Sequence, residues 1–85
     1  MSLKDRSRMI GYISTNFSRL LEKKGMSQSD FARKTGIDLG NLAKYLVDGQ
    51  EPGLIVMCMM AKGLGVELKE LTDIALDFEL KDPDR

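Results

Sequence analysis

Apolar positions in this chain recur at helical spacing. Ile10, Ile13, Phe17, Leu20 and Leu21 share one face of a 3.6-residue repeat, which predicts a first helix from about Ser7 to Lys24. Gly25 stops it, and Lys23 and Lys24 suit the negative end of the helix dipole. Ser27-Gln-Ser-Asp30 has the form of a helix start, a capping serine with an acid three residues later. A short second helix is expected from about Gln28 to Thr35, with Phe31 and Ala32 facing inward. Gly36 supplies the positive φ of a sharp turn, and Asp38 can cap a third helix from about Leu39 to Val47. Its inward residues are Leu42, Tyr45 and Leu46.

Asp48-Gly-Gln-Glu-Pro-Gly53 is the clearest loop. A fourth helix is expected from about Leu54 to Gly63, ended by the Gly63-Leu-Gly65 stretch. A fifth starts near Glu67, with Leu68, Leu71, Ala75 and Phe78 on one face, and fades into Lys81-Asp-Pro-Asp-Arg85. The pattern predicts an all-α, compact five-helix domain over residues 1–85. Its core spans about 7–80, and 1–6 and 81–85 are expected to fray.

The fourth helix is apolar all round. Leu54, Met57, Met60 and Ala61, with Cys58, are expected to face the core, and Ile55, Val56 and Met59 the opposite side. A helix apolar on every face is buried on every face. In so small a domain that points to a partner surface formed by Ile55, Val56 and Met59, most simply in a twofold homodimer. The other reading is cover by the fifth helix and the C-terminal tail.

Composition narrows the function classes. Eighty-five residues suffice for one modest core, and two prolines among many helix formers favour an all-helical fold. With one cysteine and no histidine there is no disulfide framework, no Cys/His zinc site and no Ser/His/Asp set, so neither a metal, a cofactor nor an enzymatic activity is expected. Cys58 reads as a small buried hydrophobe. The longest apolar run, Leu54 to Ala61, is too short to cross a bilayer, and a cytoplasmic location is expected. The zero net charge hides a division. Residues 1–47 hold nine Lys/Arg against four Asp/Glu, a net +5, and residues 48–85 the reverse, a net −5. A polyanion would meet the first half. Lys4, Arg6 and Arg8 are read as a disordered tail in preference to a basic arm along a duplex.

Two short helices across a glycine-containing turn make the unit whose second helix enters the DNA major groove. Ser27-Gln28, Phe31-Ala32, Gly36-Ile37, Leu42, Tyr45 and Pro52, closed by Leu64-Gly-Val66 and Leu68 to Leu71, form an ordered set around it. In this set the chain resembles the phage repressor/Cro family, the XRE-type helix-turn-helix regulators. The resemblance implies a five-helix fold, frequent homodimers and binding to double-stranded operator DNA that controls transcription. It places Gln28 at a phosphate, and Leu39, Gly40, Asn41 and Lys44 where the recognition helix meets bases and nearby phosphates. Asp38, at the head of that helix, joins this DNA-contacting set, and Arg33 and Lys34 are secondary candidates. Asparagine can pair with adenine and lysine can meet guanine or phosphate.

Two departures stand out. Leu39 and Gly40 occupy positions where the family often has polar readers; leucine can only meet a thymine methyl and glycine has no side chain. Gly49-Gln-Glu-Pro52 is one residue shorter than the family's Gly-x-x-x-Pro, with Glu51 where a base is often found. The leading expectation is a sequence-specific DNA-binding regulator acting as a dimer, with no small-molecule substrate. The alternative is a repressor-fold module for protein interaction that has lost strong DNA readout.

Overall fold

The computed structural model describes residues 1–80. It contains five helices: α1 Leu3–Lys23, α2 Gln28–Thr35, α3 Leu39–Leu46, α4 Leu54–Leu64 and α5 Leu68–Leu71. No strand occurs among the described residues, as the all-helical reading requires.

Local signals set most of the boundaries. The Ser27 hydroxyl accepts from the Asp30 amide while the Asp30 carboxylate accepts from the Ser27 amide, a reciprocal capping box. Ser2 and Asp5 do the same at the head of α1. This second box starts α1 four residues earlier than the apolar repeat suggests. Lys4, Arg6 and Arg8 therefore belong to a helix and not to a disordered tail. Arg6 pairs with Glu51 at 3.0 Å, and Arg8 with Asp5 at 3.2 Å and Asp77 at 2.8 Å. The last five residues, expected to fray, lie outside the described part of the chain.

The core gathers around Phe17 of α1 and Phe31 of α2, whose rings meet edge to face with centroids 4.9 Å apart. Leu20, Leu21, Ile37, Leu42, Met60, Leu64 and Leu71 complete it, so every helix contributes. Pro52 is buried as well. Gly63 has a specific packing role. It lies inside α4, where a Cβ would strike the Thr35 methyl and would come within 2.8 Å of the Phe31 ring. The residue that ends α4 is Gly65, in the left-handed region at φ 71°.

Two expectations fail here. The fifth helix is a single turn; beyond Thr72 the chain is irregular to Leu80, Ala75 is exposed and Phe78 only half-buried. The side chain of Asn16 explains part of this, donating to the carbonyls of Leu71 at 3.0 Å and Asp73 at 3.1 Å. It thereby satisfies groups that a longer helix would have used internally. The faces of α4 are also turned from their expected setting. Leu54 is 61% exposed and Cys58 is exposed, whereas Val56 packs against the core. The buried residues of α4 are Met60, Ala61, Gly63 and Leu64, all in its second half.

Candidate nucleic-acid interface

The joint between α2 and α3 is fixed by short-range bonds. Gly36 takes φ 77° and its amide donates to the Ala32 carbonyl at 2.9 Å. The Thr35 hydroxyl donates to the Phe31 carbonyl at 2.9 Å and accepts from the Ile37 amide at 3.2 Å. Ile37 then drops into the core. These contacts leave the turn little freedom, so the angle between the two helices is set before any ligand arrives.

Asp38 caps α3, its Oδ2 accepting from the Asn41 amide at 3.2 Å. The same oxygen would lie 2.9 Å from a Cβ on residue 40. Gly40 thus makes room for the cap of its own helix, a reason that sequence spacing does not reveal. Leu42 is fully buried and pins α3 to the core. At the far end the Ser14 hydroxyl of α1 donates to the Tyr45 carbonyl at 2.8 Å, and the Gln50 amide donates to the Lys44 carbonyl at 3.1 Å. With one face held this way, Leu39, Gly40, Asn41 and Lys44 are all exposed.

Gln28 is exposed at the head of α2. Helix geometry leaves the Gln28 and Ser29 amides without partners inside α2, and such groups suit an anion. Asp30 sits in the same turn, its carboxyl held below the ordinary value of 3.8 by the Ser27 hydroxyl and amide, with Arg33 adding to the effect. Arg33 forms an ion pair with this carboxylate, which offsets its charge beside the open amides. Lys34 is exposed on the last turn of α2.

The six residues singled out from the sequence divide by role. Gln28, Leu39, Asn41 and Lys44 are exposed side chains on the α2–α3 unit, and Asp38 and Gly40 shape the start of α3. A neighbour that the motif did not reveal is Arg6, whose guanidinium meets Glu51 in the loop after α3. The charge of Glu51 is thereby offset by a cation 45 residues away in the chain.

A family model described as helix-turn-helix matches residues 18–71, which cover all of α2, α3, α4 and α5. The chain belongs to the XRE-type helix-turn-helix family. It is accordingly a DNA-binding helix-turn-helix regulator, in a family that is regulatory and not enzymatic. No curated protein and no solved structure matches the chain. Within this XRE-type domain the match stops where the irregular segment after α5 begins. Among the described residues no helix is long and apolar enough to cross a membrane.

The partner surface expected on α4 is placed as follows. Ile55 is 73% exposed and Met59 is exposed, and Cys58 lies between them on the same face. Val56 is half-buried on the opposite side, packed against the core.

Proposed function

We propose that this regulator reads a specific operator as a homodimer, with α3 in the major groove. Asn41 and Leu39 meet base edges, and Lys44 and Gln28 hold phosphates. The observation that carries the reading is the exposed edge of α3, held by a buried Leu42 and a hydrogen-bonded turn. Such a helix can enter a groove without rearranging its support. Asp38 serves the site through the cap, keeping the first turn of α3 rigid where it would approach bases. Gly40 lets the backbone come close to the duplex floor but supplies no hydrogen bond.

The dimer follows from the apolar outer face of α4, narrowed to Ile55 and Met59 with Cys58 between them. A selection from random duplexes at low salt tests the DNA reading. A preferred sequence that Asn41→Ala relaxes at one base pair supports it. No preferred sequence from wild-type protein refutes it. Lys44→Ala should weaken binding to all sequences alike and lower the log–log salt slope by about 1. The alternative, a protein-interaction module, draws on that same α4 face and on the sparse readers Leu39 and Gly40. A stable protein partner in co-purification, with no DNA retained, would favour it.

A further inference from the structure

Two exposed apolar sites on this molecule carry opposite charge. One is a groove of about 390 Å³ lined by Ile55, Cys58 and Met59 of α4, with Lys34 and Thr35 from the end of α2 and Lys62 beyond. No acid lines it. The other is the segment after α5. Leu76 is 71% exposed and Leu80 is 80% exposed, and the charged residues of 73–80 are all acids: Asp73, Asp77 and Glu79.

The segment does not hang free. Asn16 holds the carbonyls of Leu71 and Asp73, and Arg8 holds Asp77 at 2.8 Å. Since Arg8 precedes Asn16 along α1, the segment runs antiparallel to that helix as a strap. Ile74 and Phe78 are half-buried while Leu76 and Leu80 are exposed. The two leucines are therefore turned to solvent, and Asp73 and Glu79 are exposed beside them.

We infer that the strap of one copy seats on the α4 groove of a second copy, and reciprocally, to form the closed dimer. This rests on the dimer proposed above and names what the α4 face grips. An α4-against-α4 contact would bring together two surfaces that each carry lysines and no acid, whereas the strap brings acid and apolar groups together. Complementary charge selects against the first arrangement and for the second. Two reciprocal contacts about a twofold axis close the assembly at two chains.

Charge exchange tests it on the full chain by sedimentation at micromolar concentration. Wild type should sediment as a dimer. Lys34→Glu/Lys62→Glu and Asp73→Lys/Glu79→Lys should each weaken association at least tenfold, with unchanged helical circular dichroism. Mixed in equal amounts, the two variants should recover the dimer, since each groove then meets a strap of opposite charge. Labelling of the Cys58 thiol should slow in wild type as concentration rises, and in the mixture but in neither variant alone. A strap variant that still dimerises like wild type, in a protein whose dimer Ile55→Glu abolishes, overturns this arrangement and leaves the α4 dimer standing. A mixture that stays monomeric, or a wild-type mass beyond two chains, also overturns it. A wild-type monomer at every concentration overturns the strap and the dimer together.

Discussion

α3 and α4 are both rich in apolar residues, yet they use them differently. α3 starts on a side-chain cap, buries Leu42 completely and leaves one edge to solvent. α4 starts at Gly53 with no side-chain cap, leaves Leu54 and Ile55 exposed, and buries only its second half. Apolar density therefore does not measure burial. What decides is whether a neighbouring helix lies within reach of that turn. The end of α4 presses on α2 through Gly63, while Leu54 and Ile55 at its start face outward.

Removing what the end of α4 packs against should have the largest effect. Phe31→Ala should cost about 3–5 kcal/mol of unfolding free energy in urea, a large share of the stability of a domain this size. A loss below about 1 kcal/mol would mean that the α2–α4 contact is not central. Gly63→Ala comes next, at about 1–3 kcal/mol, because the added methyl meets the Phe31 ring and the Thr35 methyl. An unchanged midpoint would show that α4 can shift away from α2. Asp38→Ala should cost about 1 kcal/mol through the lost cap, and should loosen the first turn of α3 in amide exchange.

Asp30 gives a pH test on the α2 side. Its carboxyl is held below the ordinary value of 3.8 in the folded chain, first by the Ser27 hydroxyl. A depressed folded value means stability that is present above about pH 4 and lost as pH falls through the folded value. Asp30→Asn should therefore flatten the acid side of the stability profile. An acid limb identical to wild type would show that the capping box contributes little in solution. The smallest effect belongs to the start of α4. Ile55→Ser should change monomer stability by no more than about 0.5 kcal/mol, whereas the same substitution at Met60, which is fully buried, should unfold the domain.

The pattern of residues from Ser27 to Leu46 was legible because each feature is local. Caps three residues apart, a glycine at the turn and apolar spacing on a short helix act within one or two turns. Hence α2, Gly36 and the Asp38 cap lie where the sequence puts them, and the α2–α3 unit points to its family without help from the rest. The early start of α1 rests on an equally local signal, the Ser2/Asp5 box, which an apolar repeat beginning at Ile10 does not reach.

Local signals in the chain are enough to set the helix-turn-helix: its turn, its caps, its buried Leu42 and the side chains left along α3. Tertiary structure alone decided the rest. Gly63 is read from sequence as a helix stop, and only the approach of Phe31 and Thr35 shows it as a packing residue. The orientation of α4 depends on which neighbours it meets, so Cys58 and Val56 exchange places relative to the periodic reading. The strap after α5 depends on Asn16 and Arg8, more than fifty residues away in the chain. Local bonds are encoded within a turn or two; burial is a property of two surfaces, and a single strand of letters specifies only one of them at a time.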